Sequence, residues 1–307
     1  MGLQSLSWLL FGVIVVVLLV IDLGILNKKD EVMSFKKSLL ISLFYILISC
    51  LFGLFIFYEF GADRANEYYT GFLLEKAMSL DNIFVISIIF KFFKIPQKYQ
   101  HRVLFWGILG VIIFRAIMIF AGSVVLAKFE WVLFIFATIL VITGIKTLYI
   151  VGHNSIDVKN MLIYKWLSSH INIHHEIEGN KFTIRKDGKI FFTPLFISLI
   201  TIEFMDLIFA IDSIPAIFAI TQDVFVVYTS NIFAILGLRA LFFCLEDVVE
   251  RFAYVKYSLA IILILIGVKI FVSPFIDIPK LIPLIISLFL IVVGIVISIA
   301  KNKNASN

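Results

Sequence analysis

Five acidic residues lie within long apolar segments, where ionised side chains are costly. They are Glu75, Asp81, Glu203, Asp206 and Asp212. A carboxylate at the centre of a bilayer costs at least about 2.5–3.5 kcal/mol, so retained acids indicate an ion path or a proton relay. The alternative is internal pairing, in which buried basic residues neutralise the acids without a transport role. The basic residues available for such pairs are Lys76, Arg115, Lys146, Arg239 and Lys269.

The polar residues next to these acids offer only oxygen ligands. Asn82 follows Asp81 and Ser213 follows Asp212, so amide and hydroxyl oxygens accompany the carboxylates. All-oxygen sites suit hard divalent cations such as Mg²⁺, Ca²⁺ and Mn²⁺. No His or Cys lies among these residues to favour a zinc-like site. We therefore expect a transported divalent cation, no tightly bound cofactor and no enzymatic activity.

The spacing of the acidic residues in 203–212 predicts which of them share a helix face. Glu203 and Asp206 are three residues apart and share a helix face. Asp212 would leave that face if the helix stayed regular. Pro215 removes a backbone donor and clashes with the preceding turn. We expect the helix to break there, so that its unwound end turns Asp212 and Ser213 back toward the other acids.

The composition is that of a membrane protein. The chain has 307 residues, of which 62% are apolar and 15% charged, and its mean hydropathy is +1.08. Soluble domains are about 45–50% apolar. The net charge of +5 comes from basic residues scattered over short loops, so it does not indicate nucleic-acid binding. Cys50 and Cys244 are far apart in sequence and are best interpreted as buried apolar side chains.

Nine mainly apolar segments approach the length of about 20 residues needed to cross a bilayer. They are 7–26, 38–58, 69–93, 103–126, 131–150, 191–211, 224–244, 256–273 and 281–300. Loops rich in Lys and Arg fall on every second connection. The positive-inside rule then places the N-terminus outside and the C-terminus in the cytoplasm. We expect an all-α, multi-pass protein that contacts membrane lipid.

The two halves of the chain share motifs in the same order. Residues 81–85 parallel 206–210, Arg115 parallels Arg239, and 144–146 parallel 267–269. The matched third and sixth spans run in opposite directions, so the repeat is inverted, as in many secondary transporters. Asp81 and Asp206 become symmetry mates near the membrane midplane. Arg115 and Arg239 are expected to balance the acidic charge when the site is empty.

This repeat divides the chain into five predicted parts. They are two N-terminal helices in 1–68, a first three-helix repeat (spans three to five) in 69–150, a cytoplasmic loop in 151–190, an inverted repeat (spans six to eight) in 191–273, and a C-terminal helix with a basic tail in 274–307. The loop contains His170, His174 and His175. These histidines could sense a metal, although loop histidines are more often simply solvated.

Two long motifs resemble the signatures of the TerC/Alx family of integral membrane proteins. Residues 70–85 resemble the first signature and residues 203–217 the second, and the likeness extends from about Asp22 to about Phe271. The resemblance implies a bacterial inner-membrane protein of the LysE-like transporter group. Family members are associated with tellurium resistance and manganese efflux. It also implies functional roles for all five acids, which stand at matching positions.

Together these features predict a secondary transporter that exports Mn²⁺, with exchange for protons as an option. One alternative is a membrane scaffold that aids insertion or metalation of other proteins, with docking surfaces at 151–190 and 245–256. Another is resistance transport of a tellurium compound, or transport of an amino acid, although clustered carboxylates repel an oxyanion. An intramembrane aspartyl protease is disfavoured, because the G-x-G-D setting is missing around Asp81 and Asp206. The oligomeric state stays open.

Overall fold

The computed structural model describes residues 3–24, 35–129, 131–150, 162–174, 176–186, 188–245, 253–276, 279 and 281–305. Within these ranges it leaves out the side chains of 3–4, 22–24, Leu80, Asp81, Ile150, Leu162, Asp212, Leu245, Ala253 and 302–305. The side chains of Asp81 and Asp212 therefore lie outside the description. So do His175 and parts of both predicted docking segments, 151–161 and 246–252.

The described chain forms eleven α-helices and one short hairpin, which confirms the all-α, multi-pass fold class. The helices are α1 (Leu3–Gly24), α2 (Phe35–Phe60), α3 (Ala62–Phe92), α4 (Gln97–Lys128), α5 (Val132–Ile150), α6 (Leu162–His170), α7 (Pro194–Phe218), α8 (Val224–Leu236), α9 (Leu238–Leu245), α10 (Ala253–Val272) and α11 (Leu281–Ala305). The strands are β1 (Thr183–Lys186) and β2 (Lys189–Phe192).

Seven stretches of the described chain are long and apolar enough to cross a bilayer. They are α2, α4, α5, α7, α8 with α9, α10 and α11. Helix α1 contains a shorter apolar stretch, Ser5–Ile21. Helix α3 is 31 residues long, which at about 1.5 Å per residue exceeds a bilayer core, but Glu75, Lys76 and Asp81 lower its hydropathy. The count of nine spans stays a prediction.

Apolar side chains cover the outer surface of the helices as well as the interior. Leu40 on α2, Ile113 on α4 and Phe289 on α11 are 70%, 60% and 65% exposed. A water-soluble monomer rarely exposes such continuous apolar area. These faces suit contact with lipid, because lipid chains are as apolar as the side chains themselves.

Helices α3 and α8, one from each predicted repeat, pack side by side and run in the same direction. At one contact between them, a Cβ placed on Gly71 would lie 2.9 Å from Oγ of Ser230. Further along both, Nζ of Lys76 donates a hydrogen bond of 3.1 Å to the carbonyl oxygen of Ala234. These helices correspond to the third and seventh predicted spans. Successive spans of a membrane protein cross in opposite directions, so the third and seventh are expected to be parallel.

Helices α5 and α10 run antiparallel and meet through two equivalent small-residue contacts. A Cβ placed on Gly144 would lie 2.7 Å from the carbonyl oxygen of Ala260, and one placed on Gly267 would lie 2.8 Å from that of Ala137. Ala137 precedes Gly144 by seven residues, and Ala260 precedes Gly267 by seven. A two-fold axis between the helices would generate such a reciprocal pair. The inverted repeat itself stays a prediction.

Helix α7 corrects one expectation about its end. The predicted break at Pro215 is wrong, because α7 continues regularly to Phe218 with the proline inside it. Proline removes only one backbone donor here, close to the helix end, and its own carbonyl still accepts a bond of 2.9 Å from the Ala219 N–H. Ser213 follows Asp206 by seven residues, about two turns. It therefore shares the face of Asp206 without any unwinding.

The loop before α7 contains a hairpin that the sequence analysis did not predict. Strands β1 and β2 pair antiparallel, with Thr183 opposite Phe192 and Lys186 opposite Lys189. Gly188 in the turn has φ of +73°, a conformation that glycine adopts at little cost. An Asp-Gly pair between two short strands is a common hairpin signal.

Two of the three loop histidines have different partners in the structure. Nδ1 of His170 lies 2.9 Å from the carbonyl oxygen of Trp166, so it donates to that acceptor. Nε2 of His174 lies 3.4 Å from Oε1 of Glu178, which also pairs with Lys186 at 3.0 Å. The hydrogen bond from Lys186 lowers the pKa of Glu178. Metal sensing by these histidines stays a prediction.

Candidate functional site

A single buried arginine joins carboxylates from both halves of the protein. Arg115, on α4, and Glu75, on α3, each have side chains only 1% exposed, and Nη1 of Arg115 lies 2.6 Å from Oε1 of Glu75. Nη2 and Nε of Arg115 donate to Oδ1 and Oδ2 of Asp206, on α7, at 3.1 and 3.3 Å. Such two-pronged pairing is the strongest geometry available to an arginine and a carboxylate.

Neutral side chains complete this ion-pair cluster. Oγ of Ser213 and Oδ1 of Asn231 each lie 3.2 Å from Nη1 of Arg115. Nδ2 of Asn231 donates to Oε2 of Glu75 at 3.1 Å, and Nδ2 of Asn82 donates to Asp206 at 3.2 Å. The cluster therefore combines four helices: α3, α4, α7 and α8.

Helix periodicity explains how α3 and α7 supply two members each. Glu75 and Asn82 are seven residues apart on α3, and Asp206 and Ser213 are seven apart on α7. Seven residues are about two turns, so each pair lies on one face of its helix. Both faces point to Arg115.

The cluster holds one more negative charge than positive when its acids are ionised. Arg115 contributes one positive charge, while Glu75 and Asp206 contribute two negative charges. Internal pairing, the alternative weighed from the sequence, is thus realised for these two acids. It does not neutralise them fully.

Glu203 lies one turn from Asp206 but is held differently. Both carboxylate oxygens are buried, and neither has a hydrogen-bond partner in the part of the chain that the structure describes. The carboxylate faces α4, where a Cβ placed on Gly110 would lie 2.5 Å from Oε2 and one placed on Gly107 3.3 Å from Oε1. The spacing of these glycines predicts close helix packing, and the structure shows that it makes room for Glu203.

The contact between α4 and α7 continues toward the other end of both helices. A Cβ placed on Gly122 would lie 3.0 Å from Cε2 of Phe218. Since Gly110 faces Glu203 and Gly122 faces Phe218, the two helices run in the same direction. Helices α4 and α7 therefore repeat the parallel arrangement of α3 and α8.

Next to the ion-pair cluster lies a cavity of about 150 Å³, which we call the polar cavity. It is lined by Glu75, Met78, Asn82, Arg115, Thr143, Thr147, Phe209, Ser213, Lys256, Leu259, Ala260 and Leu263. A site of this polarity with room for several waters can be hydrated. The cavity thus brings space for water or an ion to the charged groups of the cluster.

The described side chains do not form a ready-made metal cage. Among them, no group of three or more His, Cys, Asp or Glu residues is placed to hold a metal ion. Of the five predicted ligands, Glu75 and Asp206 meet at Arg115, Glu203 lies beside Gly110, and Asp81 and Asp212 have no described side chains. The oxygen donors are present, but the guanidinium of Arg115 engages those of Glu75 and Asp206.

Comparison with known proteins places this arrangement in a family. Residues 60–307 match the family described as integral membrane protein TerC. The chain belongs to the TerC family. The match covers α3 to α11 and therefore includes every member of the ion-pair cluster.

Relatives of this TerC chain align along almost its full length. A membrane protein of Rickettsia felis is 62% identical, over 97% of this chain and 98% of its own length. A membrane protein of Myxococcus xanthus is 40% identical, over 97% and 93%. Alx of Photorhabdus laumondii, named provisionally as a membrane-bound redox modulator, is 41% identical, over 90% and 89%. No solved structure matches the chain significantly.

Two further buried basic residues of this TerC-family chain are Lys76 and Arg239. Lys76, next to Glu75 in sequence, points instead to α8, where it binds the carbonyl oxygen of Ala234. A Cβ placed on Gly237, where α8 gives way to α9, would lie 2.9 Å from Nζ of Lys76. Arg239, the predicted mate of Arg115, is 3% exposed on α9.

The sequence analysis missed Asn231, which contacts both Glu75 and Arg115. A signal for it existed. Thr229, Ser230 and Asn231 form an uninterrupted polar run in the middle of an apolar span, and all three are fully buried. Polar residues at membrane depth usually face the protein interior. The hydroxyls of Thr229 and Ser230 bond within their own helix, so only Asn231 reaches the site.

Proposed function

We propose that this TerC-family protein is a secondary transporter that exports a hard divalent cation, most suitably Mn²⁺, in exchange for protons. The observation that carries the proposal is the buried cluster in which Glu75 and Asp206, from opposite halves, share Arg115. Substrate sites of secondary transporters lie at such interfaces between halves. In this proposal the protein is a carrier and not an enzyme.

Arg115 acts in this proposal as an internal substitute for the transported cation. In the empty protein its guanidinium compensates two carboxylates that would otherwise be buried as bare charges. A divalent cation that arrives with its water would take over the oxygens of Glu75 and Asp206, and Arg115 would withdraw. The empty site then keeps part of its negative charge compensated during the return step.

Glu203 is the second element of the mechanism. Its carboxylate lies one turn from Asp206 and has no hydrogen-bond partner in the described structure. A buried carboxylate in that state binds either a proton or a metal ion readily. Protons and the cation would therefore compete for this group, and that competition would couple their movements. Asp81 and Asp212 are proposed to add further oxygens.

Manganese is favoured by ligand chemistry together with family membership. The cluster and its neighbours offer carboxylate, amide and hydroxyl oxygens, which suit Mg²⁺, Ca²⁺ and Mn²⁺ alike. The resemblance to a family whose members are associated with manganese efflux favours Mn²⁺ among these hard ions. We place the protein in a bacterial inner membrane, with its N-terminus outside and its C-terminus in the cytoplasm.

The name of the Alx relatives raises redox modulation, which the cysteines of this chain do not favour. Sγ of Cys244 lies 3.8 Å from the carbonyl oxygen of Phe35, at the start of α2. Cys50 is fifteen residues further along the same helix, a distance of about 22 Å at 1.5 Å per residue. Disulfide formation needs Cα atoms within about 7 Å.

The test is uptake of radioactive Mn²⁺ by proteoliposomes that contain the purified full-length chain. We expect flux in the wild type and loss of flux in Asp206→Asn and Asp81→Asn. The matched control is Glu59→Gln, which removes an exposed carboxylate at the end of α2. Flux that survives Asp206→Asn would exclude the midplane site. No flux, combined with robust capture of partner proteins by crosslinking, would favour the scaffold alternative.

A further inference from the structure

Lys256 brings a positive charge to the wall of the polar cavity. It is the fourth residue of α10, and it lines the same cavity as Glu75 and Arg115. Its Nζ lies 4.7 Å from the centre of the Phe84 ring, which is a cation–π contact. The mechanism above assigns this lysine no role in transport.

The cavity extends from the ion-pair cluster toward one end of the helix bundle. Thr147 lies three residues before the end of α5 and Lys256 three residues after the start of α10. Since α5 and α10 are antiparallel, both residues stand at the same end, next to the loop 151–190. By the positive-inside rule this is the cytoplasmic end. Thr143, one turn deeper than Thr147, continues the wall toward Arg115.

We propose that Lys256 is the electrostatic gate of the cytoplasmic route to the ion-pair cluster. This inference rests on the proposed function for its biological meaning, although the gate itself is a property of the cavity. The ammonium lowers the local concentration of cations at the entrance. It also compensates part of the negative charge of an empty site. An entering divalent cation displaces it from Phe84, and the flexible four-carbon stem lets it swing away.

The gate is tested by chemical labelling that does not depend on transport. A single cysteine is introduced as Thr147→Cys in a chain that also carries Cys50→Ala and Cys244→Ala. Inside-out membrane vesicles expose the cytoplasmic face to two thiosulfonate reagents of similar size, one a trimethylammonium cation and one a sulfonate anion. The ratio of their reaction rates reports the sign of the potential at this wall of the cavity.

We expect Lys256→Gln to raise the cation-to-anion ratio about tenfold, because a unit charge at this range acts oppositely on the two reagents. Lys256→Arg retains the charge and the ring contact and should keep the original ratio. The matched control is Lys98→Gln. Lys98 is exposed at the same predicted side, and its Nζ lies 4.8 Å from the Tyr99 ring, but it does not line the cavity.

Each outcome decides the inference. An unchanged ratio in Lys256→Gln, an equal shift in Lys98→Gln, or no labelling of the cysteine by either reagent overturns the gate. A shifted ratio together with a several-fold lower KM for Mn²⁺ in Lys256→Gln supports both the gate and the transport function. A shifted ratio in a chain that moves no Mn²⁺ retains the gate and refutes the proposed transport.

Discussion

Arg115 and Asp206 are joined by two hydrogen bonds across the boundary between the halves of the protein. Nη2 reaches Oδ1 at 3.1 Å and Nε reaches Oδ2 at 3.3 Å, although the residues are 91 positions apart in sequence. The bonds fix the plane of the guanidinium, so that Nη1 is directed at Glu75. One side chain of α4 thus orients carboxylates on both α3 and α7.

Removal of Arg115 alone should destabilise the protein strongly. Arg115→Met leaves two buried carboxylates without their countercharge, which typically costs about 3–5 kcal/mol. We expect a clear fall in Tm for the detergent-solubilised protein, followed through tryptophan fluorescence.

The combination of Arg115→Met, Glu75→Gln and Asp206→Asn should recover most of that stability, because none of the three substituted positions then carries a charge. It should still transport no Mn²⁺. If the triple variant carried wild-type flux, the cluster would be structural and the proposed site would lie elsewhere.

Gly110→Ala should disable the site through Glu203. The added Cβ would lie 2.5 Å from Oε2, so the carboxylate must move away from its place beside α4. We expect Mn²⁺ flux to fall at least about tenfold, since a small misplacement of a reacting group has effects of that size or larger. Gly12→Ala is the matched control, because nothing lies within 4 Å of the added carbon. Equal flux in both variants would contradict a role for Glu203.

Gly144→Ala and Gly267→Ala should destabilise the protein by similar amounts. Each added carbon would meet a backbone carbonyl oxygen of the opposite helix, at 2.7 and 2.8 Å respectively. Overpacking of this kind costs about 1–3 kcal/mol, which thermal unfolding in detergent can measure, with Gly12→Ala as reference. Very different costs for the two substitutions would argue against a two-fold relation between α5 and α10.

Asn231→Ala should weaken the cluster without removing a charge. The variant loses the donor to Glu75 and the acceptor for Arg115, and hydrogen bonds to charged groups are worth about 1.5–3 kcal/mol each. We expect lower Tm together with reduced flux. Ser230→Ala is the adjacent control, since its hydroxyl donates to the Val227 carbonyl within α8. A larger effect from Ser230→Ala would contradict the assigned contacts.

Much of this architecture was accessible from sequence because it follows from hydropathy and charge. The length of the apolar segments predicts the helices. The free-energy cost of placing a charge in the membrane singles out Glu75, Glu203 and Asp206. What sequence could not supply is the partner of each charge. Lys76 and Arg115 are both basic residues near Glu75 in the fold, yet only Arg115 binds it. That choice depends on tertiary packing.

The sequence rule that proline breaks a helix gave a wrong prediction near the end of α7. Pro215 carries a strong breaking tendency, but the cost is small when only the final turn follows it. The spacing of seven between Asp206 and Ser213 could have shown that no break was needed. The separation of α8 from α9 at Gly237 had no comparable signal in the sequence, since glycine also occurs within continuous membrane helices.

The reciprocal contact between α5 and α10 has a consequence for movement. If the two halves exchanged their conformations, Gly144 against Ala260 would become Gly267 against Ala137, and the reverse. The contact between α5 and α10 would be the same before and after this exchange, so its side chains need not repack. In the proposed transport cycle, helices α5 and α10 would therefore form a fixed axis, about which the charged helices would turn the candidate site from one face of the membrane to the other.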